Sequence, residues 1–204
     1  MFRPLASYRP PRGFEHVHRH WDAGTKSWMV HLLPGEYYVT TTDELVTTVL
    51  GSCVSTCIHD PTRGIGGMNH FMLPDDPNDD RSGGGALRYG GFAVERLINE
   101  LIKRGAERSR LVIKVFGGGQ VITGSSDIGR MNVEFVRNYF AEEGLTITAE
   151  DTGGKVARRV RYHPRTGRAL MKQLSMQESH VREREQAFRA QLKASSLTGQ
   201  VELF

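Results

Sequence analysis

Cys53 and His70 have the types and the spacing to serve as a nucleophile and its base. A thiol attacks poorly until it ionises, and a neighbouring imidazole can take its proton and later return it to a leaving amine. Gly51 and Ser52 precede the cysteine. A small, permissive backbone there lets the amide N–H groups of Ser52 and Cys53 point at a developing oxyanion. Cys53 also has a plainer reading as a small buried apolar residue, and residue types alone leave both open.

A hairpin must bring sulfur and imidazole together. Residues 53–59 and 65–73 are β-like runs on either side of Asp60-Pro61-Thr62-Arg63-Gly64, where proline presets a turn and Gly64 tolerates positive φ. If residues 61–64 form the loop, Asp60 faces Ile65 and Cys53 is a diagonal neighbour of His70. A tighter turn sets the two directly opposite each other. Either register puts Cys53, Ser55 and Cys57 on one sheet face with Met68, His70 and Met72, because strand side chains alternate. A one-residue bulge would turn His70 to the other face. Cys53 and Cys57 are poorly placed to bond each other and are expected to be reduced thiols.

The flanking elements follow from periodicity. Residues 36–42 are expected to be the first strand, and 43–50 a helical turn or loop behind an Asp43 N-cap. Residues 74–85, acidic and then glycine-rich, form a loop that leaves the His70 strand and is a candidate border for a substrate groove. Residues 92–104 carry the rhythm of an amphipathic helix, and 111–116 read as a strand. Gly117-Gly118-Gly119 lacks the Lys-Ser/Thr ending of a phosphate loop, so a tight turn with close backbone approach is expected. Ser125, Ser126 and Asp127 are candidate caps for a helix over 128–143, with Phe135, Val136, Tyr139 and Phe140 inward. Strands are expected at 145–150, 158–163 and 168–174, the last two joined through Pro164-Arg165-Thr166-Gly167. A charged helix follows over 175–194, with a thin stripe of Val181, Phe188 and Leu192. The expected plan is a flexible leader over 1–35, one domain over 36–175, and a charged C-terminal helix and tail over 176–204. In the leader, His16, His18 and His20 alternate, a spacing able to hold a transition metal. No cysteine or carboxylate pair completes a site, so a solvated tail is the favoured reading and no metal site is assigned.

Composition narrows the function classes. The net charge of +4 comes from 27 Lys and Arg interspersed with 23 Asp and Glu, which fits attraction to an acidic protein surface better than nucleic-acid binding. No apolar run is long enough to span a membrane, and no signal peptide is evident, so a cytoplasmic location is expected.

The stretches Leu50-Gly51-Ser52-Cys53-Val54, Asp60-Pro61 and Gly66-Gly67-Met68-Asn69-His70-Phe71-Met72-Leu73-Pro74 together resemble the signature of the CheD family, the chemoreceptor glutamine deamidases of bacterial chemotaxis. The likeness continues through Arg88-Tyr89-Gly90, Phe116-Gly117-Gly118, Asp127-Ile128-Gly129 with Asn132, Glu150-Asp151 with Gly153-Gly154, and residues 162–167. It covers about 36–175. The resemblance implies an α/β (α+β) fold of layered mixed β-sheets with flanking helices, related to cysteine-hydrolase deamidase toxins. It implies Cys53 as nucleophile, His70 as base and Thr47 as the third member, with neighbouring Thr48 as the alternative. The implied reaction converts glutamines in the cytoplasmic domains of methyl-accepting chemoreceptors to glutamates through a cysteine thioester, releasing ammonia. No metal or organic cofactor is expected. Family members also bind CheC-type phosphatases, a further candidate partner. Cys57 and His59 are expected to be structural. The competing expectations are a non-catalytic adaptor with Cys53 merely packed, and an amidase acting on another substrate.

Overall fold

In the computed structural model the described residues are 9–73, 85–121, 128–175, 185–188 and 190. Two five-stranded sheets are stacked, and helices cover the outer face of one. The first sheet runs β1 (Arg19–Asp22), β2 (Ser27–His31), β4 (Glu44–Leu50), β9 (Ala157–His163), β10 (Arg168–Leu174). The second runs β3 (Tyr37–Thr40), β6 (Ile65–Asn69), β5 (Val54–Asp60), β7 (Val112–Gly117), β8 (Ile147–Thr152). Neighbours are antiparallel except the pairs β2–β4 and β7–β8. This is the layered α/β arrangement expected.

Alternation along β5 and β6 divides the second sheet between two partners. Outward, Gly67 lies under α1 (Gly85–Lys103), where an added Cβ would come within 2.7 Å of Leu97 Cδ1. Also outward, Asn69 Nδ2 donates to Ala93 O at 3.1 Å, and Phe71 meets Phe135 of α2 (Ile128–Glu142) edge-on at 6.1 Å. The inward face carries Cys53, Cys57, Met68, His70 and Met72, all buried against the first sheet. At its far end the sheets approach so closely that a Cβ on Gly66 would sit 2.2 Å from Pro164 O. The hairpin turn is fixed by Asp60, whose Oδ1 accepts from the amides of Thr62 (2.9 Å) and Arg63 (3.1 Å), while Gly64 takes φ 61°.

Two expectations are corrected. Residues 43–50 are not a helical turn: Glu44–Leu50 is β4, flanked by β2 and β9. The β-branched run Val46-Thr47-Thr48-Val49 prefers extended backbone, and pairing on both sides overrides the Asp43 cap signal. The leader is not loose throughout. β1 and β2 form a hairpin of the first sheet, with Trp21 facing Trp28, and Phe14 and Val17 are buried. Phe14 packs 5.2 Å from the Tyr37 ring and 5.0 Å from that of Tyr38. The loop 74–84 and the candidate caps Ser125, Ser126 and Asp127 lie outside the described residues, as does most of the C-terminal helix. Among the described residues, no helix is long and apolar enough to cross a membrane.

Candidate active site

The hairpin adopts the first of the two registers. Asp60 pairs with Ile65 and Cys57 with Met68, and the same register continues to Val54 and Phe71, whose amides each donate to the other's carbonyl at 2.9 Å. Cys53 and His70 are therefore diagonal neighbours on the inward face, with no bulge between them. Both are buried, at 0% and 3% exposure.

β4 brings a hydroxyl to the imidazole. Thr48 Oγ1 lies 2.7 Å from His70 Nδ1 and donates to Leu32 O at 2.8 Å. A hydroxyl has one hydrogen, and here the Leu32 carbonyl takes it. Thr48 Oγ1 is then the acceptor for an Nδ1–H, and the imidazole lone pair resides on Nε2. Thr47, the position implied by the resemblance, is one residue away and so on the other face of the strand. Its Oγ1 donates instead to Val160 O at 2.8 Å. The hydroxyl at the imidazole thus belongs to Thr48, the alternative.

The loop 51–53 is braced by remote elements. Gly118 N donates to Cys53 O at 2.7 Å and Gly119 N to Gly51 O at 2.6 Å. Gly117 (φ 111°) permits this approach, since a Cβ there would sit 2.2 Å from Cys53 O. The glycine run is therefore a close backbone contact, as its sequence suggested. From α2, buried Asn132 donates to Ser52 O at 2.8 Å and accepts from Leu73 N at 2.7 Å. One side chain ties the cysteine loop to the end of the histidine strand.

The amides of Ser52 and Cys53 converge on an anion supplied by the chain itself. Glu185, 3% exposed, accepts at Oε1 from Ser52 N (2.7 Å) and Cys53 N (3.2 Å), and at Oε2 from Ser52 Oγ (2.7 Å). A buried carboxylate needs such hydrogen bonds to offset lost hydration. Sequence reasoning missed Glu185, because a Glu within a charged helical stretch reads as a solvated face. It also gave Asn132 no role, although an asparagine on the apolar side of a helix is itself a signal, being a poor helix former with amide groups to satisfy.

The remaining candidates fall elsewhere. Cys57 is fully buried and burial pushes its thiol well above the ordinary range, which keeps it protonated and unreactive. His59 has its pKa lowered, mainly by burial and then by Lys114. His18 and His20 gather with His31 rather than with His16. A cavity of about 840 Å³ adjoins the site, and its lining includes His18, His20, His31, Thr47, Thr48 and Phe188.

The family model described as "CheD chemotactic sensory transduction" matches residues 72–173. Relatives extend the likeness across the cysteine and the histidine. A protein of Hahella chejuensis named "Probable chemoreceptor glutamine deamidase CheD" is 44% identical over 94% of this chain and 92% of its own. One of the same name from Burkholderia vietnamiensis is 51% identical over 86% of this chain and 74% of its own. A third, from Saccharophagus degradans, is 43% identical over 94% and 92%. A solved structure, the Bacillus licheniformis hypothetical protein YfiH, aligns with a TM-score of 0.38 at 11% identity over 56% of this chain and 49% of that one, too distant a likeness to argue from. On the relatives' identity and coverage, the chain belongs to the CheD family.

Proposed function

We propose that this protein is a chemoreceptor glutamine deamidase, hydrolysing the side-chain amide of receptor glutamines to glutamate with Cys53 as nucleophile. The observation that carries the reading is the pair of amides, Ser52 N and Cys53 N, directed at one carboxylate oxygen beside the buried thiol. Donors that hold a carboxylate oxygen there also suit the oxyanion of a tetrahedral intermediate.

In the proposed reaction His70, oriented through Nδ1 by Thr48, takes the Cys53 proton at Nε2. The thiolate adds to the amide carbon and the two N–H groups stabilise the oxygen. The C–N bond breaks as the imidazolium gives its proton to departing ammonia. Water, deprotonated by the same nitrogen, then hydrolyses the thioester to a carboxylate and the free thiol. This chemistry needs no metal or redox partner. A CheC-type phosphatase as binding partner, and a cytoplasmic setting, rest on family membership alone.

The test is ammonia release from purified receptor cytoplasmic fragments, with a Gln-to-Glu mass change located by peptide mass spectrometry. Cys53→Ala and His70→Ala are expected to reduce turnover by roughly 100-fold or more while leaving the fold intact. Full turnover in either variant defeats the Cys53–His70 mechanism, and absence of turnover in the parent chain returns it to an adaptor role.

A further inference from the structure

We infer that the helical turn 185–188 is a built-in occupant of the active site, with the Glu185 carboxylate held where a product carboxylate is held, so that a receptor glutamine enters only when this turn withdraws. The inference rests on the deamidase reading for the identity of the substrate. Its geometry stands apart from that reading. Hydrolysis of a glutamine amide leaves a glutamate side chain, and Glu185 is a glutamate whose Oε1 is shared by Ser52 N and Cys53 N and whose Oε2 accepts from Ser52 Oγ. Both Cys53 and Glu185 are sealed from solvent in this arrangement. Phe188, one helical turn on, lines the adjoining cavity and packs on the core, which anchors the segment beside the site. A tethered group competes at an effective concentration in about the millimolar range, enough to oppose a substrate arriving from solution.

Two variants of the full chain test this. Glu185→Ala is expected to speed iodoacetamide alkylation of Cys53 relative to Cys57, and to raise kcat/KM on receptor fragments roughly tenfold through KM. Unchanged alkylation and unchanged kcat/KM overturn the inference. Faster alkylation with no ammonia from any variant keeps the occupant and removes the deamidase reading. Glu185→Gln places an amide where the carboxylate was. Cys53 sulfur is expected to add to its carbon, ammonia to leave with the His70 proton, and water to restore thiol and carboxylate, so that peptide mass spectrometry finds glutamate at this position. The Cys53→Ala, Glu185→Gln double variant is expected to keep the amide. An amide that persists in the single variant, alongside working receptor turnover, overturns the product-like pose.

Away from the cysteine, three imidazoles converge at the edge of the first sheet. His18 and His20 alternate onto one face, and His31 lies beside them, its amide donating to His18 O at 2.9 Å. One ligand nitrogen from each lies within 4.8 Å of the others, and the His20 and His31 rings stack at 5.0 Å. We propose that they bind a zinc-class divalent cation. Three nitrogen donors on a strand pair suit a borderline metal, leave a fourth position open to the cavity, and disfavour the oxygen-seeking Mg²⁺ and Ca²⁺. Arg159 and Arg161 line the same cavity, and their charge is expected to hold affinity to the micromolar range rather than the nanomolar. Titration calorimetry of the full chain with Zn²⁺ is expected to give one site that is lost in the His20→Ala, His31→Ala double variant, with no response to Mg²⁺. Equal Zn²⁺ binding by parent and double variant overturns the proposal.

Discussion

At the scale of single residues, the orientation of His70 turns on one hydrogen. Because the Thr48 hydroxyl donates to Leu32 O, it can only accept from His70, and that fixes which imidazole nitrogen is basic. Thr48→Val removes the acceptor and strands a buried N–H, at a cost of about 1–3 kcal/mol. Spent on the transition state, this is expected to lower kcat/KM roughly 5- to 140-fold, measured by ammonia release. Thr47→Val, which loses a bond to Val160 O, is expected to stay within about threefold of the parent, as additivity of remote sites suggests. The reverse ranking would restore Thr47 as the third member.

At the scale of elements, the loop 51–53 is shaped by β7 and α2 more than by its own sequence. Asn132→Leu leaves Ser52 O and Leu73 N without the bonds it supplies, at about 1–3 kcal/mol for each buried group. A melting temperature lower by roughly 5–20 °C is expected by calorimetry, at about 2–4 °C per kcal/mol for a chain of this size. Gly118→Ala is expected to destabilise as well, because its φ is 66° and a Cβ would come within 2.2 Å of Val133 Cγ2. Elements with a clean period were legible beforehand. The Asp60-Pro61 turn and strand alternation gave the hairpin and its inward face; the four-residue rhythm gave α1 only from residue 92, whereas it starts at Gly85, and the apolar face of 128–143 gave α2. β4 was not legible, because a strand flanked on both sides takes its identity from β2 and β9, which are remote in sequence. The β1–β2 hairpin was hidden by His20, His31 and Arg19, which read as solvated, whereas Arg19 turns inward to pair with buried Glu44 at 2.8 Å. The geometry around residue 53 was half legible: the placing of Cys53 and His70 on one sheet face followed from register, and the small backbone before the cysteine from Gly51 and Ser52. Glu185 was not, because nothing in a charged helix shows which carboxylate turns inward.

At the scale of the whole molecule, the hairpin turn is pinned to the β7 entrance by a buried charge. Asp60 is fully buried and pairs with Arg110 at 2.8 Å, and the hydrogen bonds from Arg110, followed by those from the Arg63 and Thr62 amides, hold its pKa below the usual range. A carboxylate with a depressed folded pKa contributes stability above its unfolded value, near about 4, and that contribution fades as pH falls through the folded value. Asp60→Asn is therefore expected to lower stability at neutral pH and to flatten the acid limb below about pH 4, followed by urea melts across pH.

Asn132 lies 80 positions after Ser52, which has a consequence for synthesis on the ribosome. Translation delivers the thiol long before it delivers the amide that holds its loop, and Glu185 arrives 133 positions after Ser52. A nascent chain therefore carries Cys53 before the side chain that braces its loop, and the carboxylate that covers it is made later still.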